Sequence, residues 1–112
     1  MNDEAILSKE ILNEILSEDV VRIESSNLPL IEILVQRWSY RERVTINIYE
    51  LMHLAKEKAK EYGYYIYSGP KNDNIWQAWY SPSGSSFENV YSYKYSEEES
   101  VIDIFKHIIN NK

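Results

Sequence analysis

Cysteine is absent from the 112 residues. That excludes disulfides, a thiolate nucleophile and Cys-ligated zinc, and it fits a reducing compartment. Histidine occurs twice, too rarely for a usual zinc set. Glycine and proline number three each, and no Gly-x-Gly-x-x-Gly, Gly-x-Ser-x-Gly or His-Glu-x-x-His pattern exists. No apolar run is long enough to span a membrane. The start, Met1-Asn2-Asp3-Glu4, is acidic where a secretory leader is basic, so a cytoplasmic protein without membrane association is expected. Positive charge is also scarce: twelve Lys and Arg face eighteen Asp and Glu, a net charge of −6. Residues 1–45 hold nine acids and five bases, the remainder nine and seven. Neither part favours a phosphate backbone, and an acidic chain suits protein partners.

What the chain does contain is most orderly between Asn47 and Asn110. Asn47-Ile48-Tyr49-Glu50 and Ser96-Glu97-Glu98-Glu99 each place a capping residue three positions before a Glu, the capping-box spacing. The first opens a helix over about 48–62, with Ile48, Leu51, Met52, Ala55, Ala59 and Tyr62 on one stripe and Gly63 as its left-handed stop. The second opens a helix over about 97–110, with Val101, Ile104, Phe105 and Ile108 inward, acids at its start and Lys106 and Lys112 at its end. Between them, Tyr64–Ser68, Ile75–Tyr80 and Phe87–Tyr95 read as strands. Turns at Gly69–Asn74 and Ser81–Ser86 separate them. Such short connections make an antiparallel meander.

The first 46 residues read as a helical extension. A helix over 3–17 carries Ile6, Leu7, Ile11, Leu12, Ile15 and Leu16 on one stripe. It either packs on its own domain or pairs with a second copy in a homodimer. Val20–Glu24 alternates like a short strand, and Ser25-Ser26-Asn27 reads as a turn. Pro29 suits a helix start, and Leu30, Ile31, Leu34, Val35 and Trp38 follow at helical spacing, so a helix over 29–38 is expected. Ile31, Ile33 and Val35 also alternate, which is the competing strand reading. Arg43–Ile48 adds an extended run. The whole is an α+β chain: a helix–three-stranded antiparallel sheet–helix core (α-β-β-β-α) over 47–112 and an N-terminal helical extension over 1–46, together one compact domain.

The functional expectation rests on the rings. Ten Tyr and three Trp crowd the chain, and in the expected strands more large aromatics occur than two helices can cover. Tyr65, Tyr67, Trp76, Trp79, Tyr91, Tyr93 and Tyr95 are therefore the candidate partner-binding residues, since such rings bring large area at low rotamer entropy. The competing explanation is cross-strand packing alone. Arg37, Arg41 and Arg43, interleaved with Trp38 and Tyr40, form the one basic-aromatic cluster. They either contact phosphate or pair with Glu32, Glu42 and other acids. His53 has Glu50 and Glu57 one turn away, and His107 has Asp103, spacings of ordinary helix-surface pairs that could also serve acid–base chemistry. Ser83-Gly84-Ser85-Ser86 could cradle an anion but lacks the Lys and helix of a P-loop. No catalytic, cofactor or metal site is assigned.

The helix–strand–strand–strand–helix order of 47–110 resembles the double-stranded-RNA-binding domain in topology. It also resembles small helix-sheet-helix proteins common among phage and mobile-element genes, and the richness in Ile, Asn, Lys, Tyr and Glu is that of an AT-rich genome. The RNA-binding family carries basic residues where this chain has Ser96-Glu97-Glu98-Glu99, so none of its residues is carried over. The expectation is a small, acidic, non-enzymatic protein-binding module, a regulator, inhibitor or immunity-type protein. The alternative is a nucleic-acid-binding domain of double-stranded-RNA-binding or winged-helix type.

Overall fold

A computed structural model of the chain describes residues 7–82 and 91–110. The elements are α1 (Lys9–Leu16), β1 (Val20–Asn27), β2 (Leu30–Gln36), β3 (Arg41–Asn47), α2 (Ile48–Glu61), β4 (Tyr64–Pro70), β5 (Trp76–Pro82), β6 (Tyr91–Lys94) and α3 (Glu97–Asn110). The protein is α+β, with the order α-β-β-β-α-β-β-β-α and two three-stranded antiparallel sheets, β1-β2-β3 and β4-β5-β6. The α-β-β-β-α run over 48–110 is present, but a second sheet stands where a helical extension is expected. The chain divides into two compact units, Met1–Leu54 and Ala55–Lys112, with the boundary inside α2.

In the first unit, α1 begins after Ser8, whose hydroxyl accepts the Ile11 N–H at 3.3 Å. The helix is thus shorter than the 3–17 reading, of which residues 3–6 lie outside the described residues. Ser17 ends it in the left-handed region at φ 56°, and its N–H donates to the Asn13 carbonyl at 2.9 Å. The Asn13 side chain then accepts the Val20 N–H at 2.7 Å, tying helix to strand. Ile11, Leu12 and Ile15 are buried.

The helix expected over 29–38 is a strand. β2 pairs on both sides, from Asn27↔Leu30 to Val20↔Val35 with β1 and from Leu30↔Asn47 to Gln36↔Arg41 with β3. Both flanks of its backbone are therefore satisfied by ladders, which a helix there would forfeit. Ile31, Ile33 and Val35 form its buried face, the alternation that β-branched residues favour. Trp38, counted on the helical stripe, is fully exposed beyond the strand. Ser25, Ser26 and Asn27, read as a turn, are the end of β1. The loop is instead Leu28–Pro29, joined by a cis peptide. Two register shifts in β1, between Val20 and Arg22 and between Ile23 and Ser25, bend it against β2. The extended run before α2 is β3. Asn47 ends it and caps α2, accepting the Tyr49 N–H at 2.8 Å rather than the N–H of Glu50.

α2 ends at Glu61 and Gly63 follows it with a φ of +90°, costly for any residue with a Cβ. No atom lies within 4 Å of the site a Cβ would take, so the requirement is torsional. β4 runs two residues further than expected, through Gly69 and Pro70, and the turn is confined to 71–75. There the Asn72 side chain accepts the N–H groups of Asn74 and Ile75 at 2.9 and 3.0 Å. Ser81 and Pro82 belong to β5 rather than to a turn. The rest of that turn, with the Ser83–Ser86 anion candidate, and the first four residues of the expected third strand lie outside the described residues. α3 matches its expected span. Its cap is mutual: the Ser96 hydroxyl accepts the Glu99 N–H at 3.3 Å and donates to the Glu99 carboxylate at 3.1 Å. Val101, Ile102, Ile104, Phe105 and Ile108 are buried as α3 packs on all three strands of the second sheet.

Two hydroxyls stitch α3 to that sheet. Ser92 of β6, only 5% exposed, donates to Asp103 at 2.7 Å. Ser68 of β4 donates to Glu97 at 2.6 Å and accepts from Lys56 of α2 at 3.1 Å. These satisfy groups that would otherwise lose hydration without replacement. No buried side-chain nitrogen or oxygen among the described residues lacks a partner.

Candidate functional site

The register of the second sheet decides which rings are hidden. Ile66 stands opposite Tyr80, Ala78 stands between Ser68 and Ser92, and Trp76 stands between Pro70 and Lys94. Strand alternation puts these on one face with Tyr64. Ile66, Ala78, Tyr80 and Ser92 are buried there, and Tyr64 and Tyr80 meet edge to face at 5.4 Å. The small Ala78 and the serines leave room for α3.

The opposite face carries Tyr65, Tyr67 and Gly69 of β4, Gln77, Trp79 and Ser81 of β5, and Tyr91 and Tyr93 of β6. None of these eight positions is charged. Tyr67 stands opposite Trp79, and Trp79 opposite Tyr91. The rings form a continuous row, with centroids 6.0 Å apart from Tyr67 to Trp79, 6.0 Å from Trp79 to Tyr91 and 6.1 Å from Tyr91 to Tyr93. Two of the three steps are near-parallel, at 25° and 18°. Tyr65, Tyr67, Tyr91 and Tyr93 are 42%, 45%, 41% and 48% exposed, so each keeps nearly half of its surface open to solvent. Mutual contact along the row holds the rings in place and lowers the rotamer entropy a ligand must remove.

Of the seven ring residues singled out from sequence, the structure brings five onto this face: Tyr65, Tyr67, Trp79, Tyr91 and Tyr93. Trp76 is not with them; it lies half-buried on the face that α3 covers. Tyr95 follows β6 and is 81% exposed. Sequence reasoning passed over Lys71, whose ammonium lies 5.3 Å from the Tyr93 ring centroid. Its place in the turn beside the end of β4 was the available signal.

The arginine cluster is divided. Arg37 binds Glu18 at 2.5 Å and Glu42 at 2.8 Å. Hydrogen bonding to Glu42 and the nearby charge of Glu18 raise its pKa above the ordinary arginine value. Its fork is thus committed within the protein, as the pairing alternative expects. Arg41 and Arg43 lie on the other face of the first sheet, where Arg41 binds the Gln36 side chain at 3.0 Å and Arg43 is exposed. Arg22 shares that face across Leu34 from Arg43, but is paired with Glu24 at 2.7 Å. The loop between β2 and β3 is closed by the Arg37 N–H on the Tyr40 carbonyl at 2.7 Å and leaves Trp38 fully exposed. The helix over 29–38 on which the winged-helix order rests is the strand β2.

His53 is exposed on α2. His107 lies with Ser92, Asp103, Lys106 and Asn110 along an open groove of about 250 Å³, and its ring is 5.8 Å from that of Tyr80. Asp103 there is engaged by Ser92, so the serine hydroxyl points its proton at a carboxylate and is not activated by the imidazole. Among the described residues no group of three or more His, Asp or Glu could hold a metal, and no helix is long and apolar enough to cross a membrane.

Compared with protein-family models, curated proteins and solved structures, the chain matches none.

Proposed function

We propose that this is a non-enzymatic protein-binding module that engages its partner through the ring face of β4-β5-β6. The observation that carries the reading is the row Tyr67–Trp79–Tyr91–Tyr93: four contiguous rings, the three tyrosines nearly half open to solvent and Trp79 partly buried between them, on an uncharged sheet face with α3 packed on the other side. Aromatic clusters with depleted charge are the composition of interface centres rather than of ordinary surface. The net charge of −6 keeps the chain soluble and directs it toward partners with basic surfaces. A small regulator, inhibitor or immunity-type protein of a bacterium or phage works in this way, acting in the cytoplasm by occupying another protein.

The nucleic-acid alternative loses its best support when Arg37 is committed to Glu18 and Glu42. A phosphate contact would then rest on Arg41 and Arg43 alone.

The test is site-directed photo-crosslinking in the native host. A benzophenone side chain at Tyr67 or Tyr93 should capture a defined protein that the same probe at Tyr49, exposed on α2, does not. Folded Trp79→Ala and Tyr93→Ala variants should release it. If both variants retain every partner of the parent protein, the ring face is not the binding surface.

A further inference from the structure

We infer that the segment docking on the ring face presents arginine side chains, with guanidinium groups lying over the tyrosine rings. The inference rests on the binding reading above and specifies the chemistry of the partner.

Three observations carry it. The first is Lys71. Its ammonium sits 5.3 Å from the centre of the Tyr93 ring, and among the described residues it makes no ion pair. In an acidic protein, this cation lies over a ring and against no carboxylate of the described residues. The end of the row therefore already holds the kind of group that the faces of aromatic rings attract.

The second is charge. No described strand position of the ring face is acidic or basic, whereas the outer face of the first sheet carries Arg22, Glu32, Arg41 and Arg43. A cation arriving on the ring face meets no local base other than Lys71, and it approaches a protein of net charge −6. An acidic segment would meet the same net charge with the opposite sign, and the negative ring faces as well.

The third is shape. Tyr91 and Tyr93 are tilted only 18° from each other, and Tyr67 and Trp79 only 25°, with 47° between Trp79 and Tyr91, so the row offers two pairs of near-parallel rings. A planar guanidinium stacks on such a surface. It is more weakly hydrated than an ammonium, and its spare N–H groups reach the tyrosine oxygens while stacked. Lysine can take the position over one ring, as Lys71 does. Arginine uses the whole row.

The experiment compares three blocked hexapeptides on one neutral frame, carrying three arginines, three citrullines or three glutamates. Citrulline keeps the shape of arginine and removes its charge. Binding to the intact protein is followed through NMR shifts of the Trp79 indole N–H and the tyrosine ring protons. The arginine peptide should bind about tenfold more tightly than the citrulline peptide, and the glutamate peptide should not bind. Tyr67→Leu and Tyr93→Leu, which keep apolar bulk, should abolish the preference. Lys71→Gln should tighten the arginine peptide about threefold by clearing the Tyr93 ring. Lys60→Gln, an equal charge change on α2, should not; neither lysine is part of the core, so both variants fold. Equal binding of arginine and citrulline peptides, or equal effects of Lys71→Gln and Lys60→Gln, would overturn the inference while leaving the ring face a binding surface. Binding of none of the three peptides, or of the glutamate peptide, would overturn it as well. Failure of the parent reading is seen separately, in partners retained by Trp79→Ala and Tyr93→Ala.

Discussion

β1-β2-β3 and β4-β5-β6 are both antiparallel meanders that follow a helix. The first sheet contains no aromatic residue in any strand, and it closes its inner face with Val20, Ile31, Ile33 and Val35. The second holds eight aromatics, of which five point away from the helix-covered face. The outer face of the first sheet mixes Leu30 and Leu34 with Arg, Glu, Ser, Asn, Thr and Gln, a mainly polar finish for a face turned to water. One chain has thus built the same motif twice and furnished the outer surface once with charge and once with rings. Rings are therefore no requirement of sheet formation in this protein. Cross-strand packing accounts for the rings touching one another; it does not account for their standing on the open side, where branched or polar residues serve equally well.

The largest test removes what holds the ring-bearing sheet. Phe105 is fully buried in α3, and Phe105→Ala should cost about 3–5 kcal/mol, read as a fall in the urea midpoint. If the two units of the chain unfold separately, near-ultraviolet circular dichroism, dominated by the ring-rich sheet, should be lost before the far-ultraviolet signal. Coincident loss would show that the sheets share one cooperative transition.

A second test exchanges the outer surfaces. Trp79→Ala, at the centre of the row, should weaken partner binding by at least about 2 kcal/mol, roughly thirtyfold. Arg41→Ala on the charged face should change it by less than about 0.5 kcal/mol. Calorimetric titration of the captured partner decides between them, and equal losses would erase the functional distinction between the sheets. Smaller again is Gly63→Ala at the start of the second sheet. It should cost about 1–2 kcal/mol from the left-handed backbone alone, visible as a lower thermal midpoint with partner affinity unchanged. Smallest is Arg37→Gln beside the first sheet. Both of its ion pairs are partly exposed, so its loss should be slight and should vanish at high salt.

Local signals were legible wherever one residue type has one strong reason to be where it is. Ser96 with Glu99, Gly63, and the apolar spacing from Val101 to Ile108 placed α3 and the end of α2 well. The failure at β2 has a physical cause. Leu30, Ile31, Leu34, Val35 and Trp38 fit a helical stripe, and Ile31, Ile33 and Val35 fit a strand. Short apolar runs allow both periods, and what separates them is pairing with β1 and β3, which is not local. Two of its five residues proved to be surface: Leu30 is 50% exposed and Trp38 wholly so. The candidate site was legible as an excess of rings and as alternation within each strand. It was not legible as a row. Alternation says that Trp76 and Trp79 face opposite ways, but not which of them faces out.

By itself, the sequence determined the class of the protein: α+β, acidic, without cysteine, with caps and stops that bracket its helices and more rings than its helices can cover. These are consequences of side-chain chemistry acting within a few residues. The tertiary structure decided the sheet β1-β2-β3, the inward turn of Trp76, the division of the arginines and the alignment of Tyr67, Trp79, Tyr91 and Tyr93. Each of these depends on register between strands. Register is set by which side chains fit beneath the covering helix, Ala78, Ser68 and Ser92 in the ring-bearing sheet, so it exists only once the pieces are packed.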